Sequence, residues 1–195
     1  MGTTYMHAVA SLDGYIADAT DDVGPLFDWY FGGDHPILDD EHGTFRVSAA
    51  SAEYVRGIWE RQQVIVIGRH LFDLTNGWEG RPPACEDAVV VSHRPKPDGW
   101  HPEAKYHFAT SVEEAFARAH EIAGDGEIGV TAGEVGGQAM ALGLIDYVAI
   151  DVVPVVFGSG KPYFGSFAGL PLMLEDPEVV IQGDRVLHLR YQVRK

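Results

Sequence analysis

At 195 residues, 46% of them apolar, the chain can bury one full core and is short for two. No run of about 18 apolar residues occurs, so no transmembrane helix is expected, and a formal net charge of −15 argues against a nucleic-acid or anionic-membrane partner. The single cysteine, Cys85, rules out an internal disulfide, and the N-terminus lacks the basic start and apolar stretch of a secretion signal, which together lead to the expectation of a reducing cytoplasm.

Thr4 to Ser11 reads as a first strand, buried at its centre. Residues 12–48 read as a long irregular segment carrying Gly14, Gly24-Pro25, Gly32-Gly33 and His35-Pro36. No Lys or Arg precedes Arg46, whereas Asp13, Asp18, Asp21, Asp22, Asp28, Asp34, Asp39, Asp40 and Glu41 all do. Asp39-Asp40-Glu41 lacks the spacing of an EF-hand, so a solvated acidic surface is expected there and no metal site. Ser51 opens a helix whose apolar face is Ala52, Val55, Ile58 and Trp59. Strand 64–67 ends in Gly68-Arg69, from which a short helix through Leu71 begins. Strand 88–91 ends in the polar, basic turn Ser92-His93-Arg94-Pro95, and a further strand is expected at 105–109.

Thr110 or Ser111 caps a helix with Val112, Ala115, Phe116, Ala119 and Ile122 at helical spacing, ended by Gly124-Asp125-Gly126. The strand Ile128 to Thr131 runs into Ala132-Gly133, and Val135-Gly136-Gly137 opens a helix ending near Gly143. A long apolar strand follows from Ile145 to Phe157, broken by Pro154. Lys161 in the loop Gly158-Ser159-Gly160-Lys161-Pro162 lacks the spacing of a P-loop. Two last strands, about 172–181 and 185–193, are joined by the hairpin signal Gln182-Gly183-Asp184. Strand–helix alternation through residue 145 predicts an α/β fold with a mainly parallel central sheet, flanking helices and an antiparallel C-terminal hairpin, in one domain over residues 1–195.

The turn from Ala132 to Gly137 carries two readings. Glycines at a strand-to-helix turn let backbone N–H groups approach an anion such as a pyrophosphate, and the helix N-terminus favours negative charge. Equally, they let a helix pack closely on a strand. The spacing is not that of the Rossmann fingerprint. Asp28, beside Phe27, Trp29 and Tyr30, is either a helix cap or a carboxyl group whose burial raises its pKa until it can donate a proton. Glu53 stands second to it as an acid.

Taken in order, SLDGYIA (11–17), VIGRHLFD (66–73), VVVSHRP (89–95), the glycine turn with GLID (143–146), VVPVVFGSGKPYF (152–164) and the closing VLHLRYQV (186–193) resemble the dihydrofolate reductase-like superfamily. Within it, the chain is most similar to the reductase domain of bifunctional riboflavin-biosynthesis proteins, with Ala132-Gly133 in place of the usual Gly-Gly and Tyr147 in place of an acidic residue. The resemblance implies an NADPH-dependent reductase acting on a small heterocycle or ribosylamino-pyrimidine, such as 5-amino-6-(5-phosphoribosylamino)uracil. It also implies which residues hold the cofactor. Arg69, after Gly68, would grip the 2′-phosphate, with the backbone of His70 and Leu71 supporting the pyrophosphate. Ser92, with His93 or Arg94, would reach the same 2′-phosphate. Gly133, Glu134, Val135, Gly136 and Gly137 would cradle the pyrophosphate, Glu134 by its backbone alone. Ile16 and Ala17 would neighbour the nicotinamide. Asp13 reads as a turn-forming residue, with a catalytic role as the alternative. Asp28 is the candidate catalytic acid.

The zinc deaminase often fused to this reductase needs two cysteines, which this chain does not have. A dihydrofolate or pterin reductase and a non-catalytic NADP(H)-binding module remain alternative readings. A homodimer is expected as well, with the Val148 to Phe157 strand as its buried contact.

Overall fold

The computed structural model describes residues 2–40, 43–169 and 171–194. An eight-stranded sheet takes strands from both ends of the chain. They are β1 (Thr4–Ser11), β5 (Gln62–Gly68), β6 (Asp87–Val91), β7 (Lys105–Ala109), β8 (Glu127–Thr131), β9 (Tyr147–Val153), β11 (Leu174–Gln182) and β12 (Leu187–Val193). Their spatial order is β11-β12-β9-β1-β8-β5-β6-β7. All pairings from β9 through β7 are parallel, and β12 alone runs against its neighbours, joined to β11 in the expected hairpin. Near-continuous apolar runs such as Val64 to Ile67 and Ala88 to Val91 suit strands covered on both faces.

Four helices provide that cover: α1 (Ala49–Arg61), α2 (Arg69–Thr75), α3 (Val112–Ala123) and α4 (Glu134–Ala141). One face of the sheet packs against α3 and α4, with Phe116, Ala115, Ala119 and Ala139 meeting Met6, Val64, Val66, Val130 and Val148 in the largest core. The opposite face is divided. α1 lies over Tyr5, Val9, Ala149 and Val153 through Ala52, Val55 and Ile58, while α2 lies over Ile67, Ala88 and Val90 through Phe72. None of these helices is long and apolar enough to cross a membrane.

Three expectations are corrected. The 12–48 segment is not irregular: it holds β2 (Tyr15–Ala17), a 3-10 helix (Gly24–Phe31) started by Pro25, and a hairpin of β3 (His35–Asp40) with β4 (Gly43–Val47). β2 escapes local pattern reading because its partner is β10 (Lys161–Pro162), far along the chain. Helix α1 starts before Ser51, because the Ser48 hydroxyl caps it by accepting from the Ser51 N–H. Finally, β9 stops at Val153, since Pro154 has no N–H to continue a ladder. β9 is also an interior strand, with Val148, Ala149, Asp151 and Val153 buried by their own chain, whereas Val156 beyond it is exposed. Glu41 and the side chains of Asp39 and Asp40, where an acidic surface was expected, lie outside the described residues.

Candidate functional site

The carboxyl ends of the parallel strands gather the residues singled out in the sequence. At the end of β8, Gly133 takes φ +89°, ψ −147°, a backbone that side chains rarely adopt, and its N–H donates to Tyr163 O at 2.7 Å. This turn delivers the chain into α4 with no side-chain cap on its first turn, so the N–H groups there remain oriented outward with the helix dipole behind them. A Cβ on Gly133 would lie 3.3 Å from the Ile16 side chain, which puts β2 directly beside the turn. Ala17, next along β2, is buried.

The glycines further on have another use. A Cβ on Gly136 would meet Met6 and lie 2.8 Å from Thr131 O, and one on Gly137 would run into Phe164 O. Both glycines are therefore close-packing positions of α4; in the turn before them Gly133 and Val135 are buried, Gly165 packs against Gly133 and Glu134, and Glu134 is exposed. The Glu134 carboxylate is turned to Ser166, whose hydroxyl donates to it at 2.6 Å.

Arg69 opens α2 and is largely buried, its side chain 16% exposed. Its Nε donates to Asp73 Oδ1 at 2.7 Å, and its Nη1 donates to Ser92 Oγ at 3.3 Å, Arg94 O at 3.3 Å and Pro95 O at 3.1 Å. Arg94 Nη2 donates to the other Asp73 oxygen. Ser92 Oγ in turn donates to Arg94 O at 2.6 Å and accepts from Arg94 N at 3.0 Å. Arg69, Ser92 and Arg94 thus converge as expected, but they do so around a carboxylate that sequence reading overlooked. Burial raises the Asp73 pKa, and the hydrogen bonds and charges of Arg69 and Arg94 outweigh it and leave the group below the ordinary carboxylate range. His93 is exposed and outside this cluster. His70 turns the other way, pairing Nε2 with Asp21 Oδ1 at 2.9 Å, and Lys161 Nζ reaches the same oxygen at 3.5 Å. These contacts hold the 18–22 loop against the start of α2.

Asp28 does not fit its expected role. It lies exposed on the 3-10 helix, and the N-cap of that helix is Val23, so it is neither a buried acid nor a cap. Glu53 is exposed as well. The buried acid is elsewhere. Asp151, on β9, is 0% exposed. Its Oδ2 meets His7 Nε2 at 3.0 Å and its Oδ1 meets His188 Nδ1 at 2.6 Å, while His188 Nε2 reaches Ser51 Oγ at 2.9 Å. Burial works to raise the Asp151 pKa, but the two imidazoles outweigh it and hold it at about 2.

Sheet register explains this arrangement: His7 aligns with Ala149, Val9 with Asp151, and His188 with Asp151, so all face the α1–α2 side. Trp29 and Tyr54 close over His188 with ring centroids 5.2 and 4.6 Å away. Trp29 Nε1 and Tyr54 Oη are buried with no hydrogen-bond partner. His7 is the member of the network that reaches solvent, with 27% of its side chain exposed. It lies level with Thr131, the last residue of β8, and its carbonyl accepts from Ala132 N at 3.4 Å at the entry to the glycine turn. The signal for this network was a polar Asp and His in otherwise apolar strands. Two open surface hollows of about 340 and 440 Å³ share no residue with any of these groups.

No family model and no curated protein matches the sequence. Solved structures do match in fold. A putative riboflavin biosynthesis protein from Shewanella sp. PV-4 superposes with a TM-score of 0.69 over 99% of both chains at 22% identity. Dihydrofolate reductase from Enterococcus faecalis, complexed with NADP(H), superposes at 0.59 over 100% of this chain and 98% of the other at 16% identity. A diaminohydroxyphosphoribosylaminopyrimidine deaminase/5-amino-6-(5-phosphoribosylamino)uracil reductase from Thermotoga maritima superposes at 0.62 with 14% identity, over 99% of this chain and 57% of that one. This chain has the dihydrofolate reductase-like fold.

Proposed function

We propose that this protein is an NADPH-dependent reductase that passes hydride to a small heterocycle or ribosylamino-pyrimidine. The observation that carries the reading is that an uncapped glycine turn at α4, the Ile16–Ala17 strand and the Arg69–Ser92–Arg94 cluster share one edge of the sheet. The similarity in fold to riboflavin-pathway and dihydrofolate reductases supports the same chemistry.

The residues fit the cofactor in distinct places. Glu134 and Val135, in the first turn of α4, offer backbone N–H groups without a side-chain cap, suited to a pyrophosphate, while the Gly133 N–H is held by Tyr163 O. Arg69, Arg94 and the Ser92 hydroxyl suit a 2′-phosphate, which has to compete with Asp73 for the guanidiniums. Ile16 and Ala17 supply an apolar wall for the nicotinamide. When bound, the cofactor supplies the hydride, and the chain supplies placement and exclusion of water.

The test is a substrate panel followed by NADPH absorbance, with 5-amino-6-(5-phosphoribosylamino)uracil, 7,8-dihydrofolate and 7,8-dihydropterin as acceptors, alongside calorimetric titration of NADPH. Turnover of one acceptor with saturable NADPH binding is expected. Binding without turnover of any acceptor would favour a non-catalytic nucleotide-binding module, and no NADPH binding would discard both. Cytoplasmic residence and a homodimer belong to the same proposal. Light scattering that gives the 21.3 kDa monomer mass at all concentrations would remove the dimer.

A further inference from the structure

We infer that His7 is the proton donor of this site, held in place by the buried Asp151–His188–Ser51 chain; this rests on the reductase reading above. Asp151 occupies one ring nitrogen of His7, Nε2. That fixes the imidazole plane and its tautomer, because an N–H must face the carboxylate. Nδ1 has no hydrogen-bond partner among the described residues, and the side chain is 27% exposed. The network is deep at one end and open at the other. Asp151 and His188 are 0% exposed, Ser51 anchors His188 to the first turn of α1, and His7 alone meets solvent.

His7 also stands where a reacting ring would lie. His7 and Thr131, level with one another on β1 and β8, are both half-buried. The Ala132–Gly133 turn, against which Ile16 packs, starts from the His7 carbonyl.

The step balances as follows. A reduced nicotinamide dinucleotide gives hydride to the carbon of a substrate C=N bond. The π electron pair of that bond moves to nitrogen and forms an N–H bond with the Nδ1 proton of the His7 imidazolium, which is left as the neutral ring with its N–H on Nε2 toward Asp151. The dinucleotide leaves oxidised, and neutral His7 regains its proton from water.

Two variants test the assignment. His7→Gln keeps an N–H for Asp151 but has no transferable proton, and His7→Ala opens space for added imidazole. With an acceptor from the panel, single-turnover NADPH oxidation should fall about a hundredfold or more in both, with NADPH affinity unchanged and the His7→Ala rate rescued by imidazole. In the cofactor-free wild-type protein, ¹⁵N-histidine spectra should show Nδ1 of His7 moving on titration with 7,8-dihydrofolate, while Nε2 stays.

Wild-type turnover that survives in His7→Gln overturns the inference and leaves the reductase reading standing. Slowed variants without imidazole rescue, or with NADPH affinity lost in parallel, make His7 structural and also overturn it. A wild-type protein that binds no NADPH and reduces no acceptor ends the reductase reading, and this assignment with it.

Discussion

Replacing Asp73 with asparagine should strengthen NADPH binding and leave NADH binding nearly unchanged. The carboxylate sits between the guanidiniums of Arg69 and Arg94, the groups assigned to the 2′-phosphate. A unit charge about 4 Å from another interacts by about 4 kcal/mol at an effective dielectric constant of about 20. Asp73 and Arg94 are 40% and 64% exposed, however, and pairs this open contribute about 0–1 kcal/mol. The neutral amide retains the shape and removes the competing charge, so a gain of about 1 kcal/mol, or about fivefold in Kd, is expected. Arg69→Ala gives the opposite arm. Losing a charge-assisted hydrogen bond costs about 1.5–3 kcal/mol, which weakens NADPH about ten- to a hundredfold and spares NADH. Calorimetric titration of both cofactors at one ionic strength measures all four effects. Weaker NADPH binding by Asp73→Asn would refute the competition and mean that the carboxylate positions the arginines. Equal losses of both cofactors in Arg69→Ala would place that guanidinium on the pyrophosphate or in the fold.

Asp151→Asn should destabilise the protein by about 1.5–3 kcal/mol at neutral pH in urea denaturation, because it weakens two buried hydrogen bonds to a carboxylate. The Asp151 pKa is depressed to about 2, so its contribution is present above the unfolded carboxylate value of about 3.9 and is lost as pH falls toward 2. Wild type should therefore lose more stability than Asp151→Asn between about pH 4 and pH 2, and parallel pH curves for the two would contradict this reading. Gly137→Ala should lower stability by about 1–3 kcal/mol, since its Cβ meets the backbone oxygen of Phe164, which cannot swing aside. An unchanged thermal midpoint would show that the 164–167 loop yields at little cost.

Local signals in the chain were enough for the parallel part of the sheet and its covering helices. The apolar runs of β1, β5, β6 and β8, the helical spacing of α3 and its Ser111 cap all depend on residues within a few positions of each other. The same holds for the meeting of Arg69 with Ser92, because consecutive parallel strands end at one edge of the sheet. The remainder was settled by contacts between distant segments. β2 is a strand only because Lys161 and Pro162 pair with it. Asp28 looked like a buried acid among aromatics, but the 3-10 helix turns Trp29 inward and leaves Asp28 in solvent. Asp73 entered the phosphate cluster because one turn of α2 carries it back to Arg69 and across to Arg94. The His7–Asp151–His188 network joins residues 144 and 37 positions apart. Which polar residue in an apolar strand meets which other depends on strand order and register, and these follow from how the whole sheet buries its two faces.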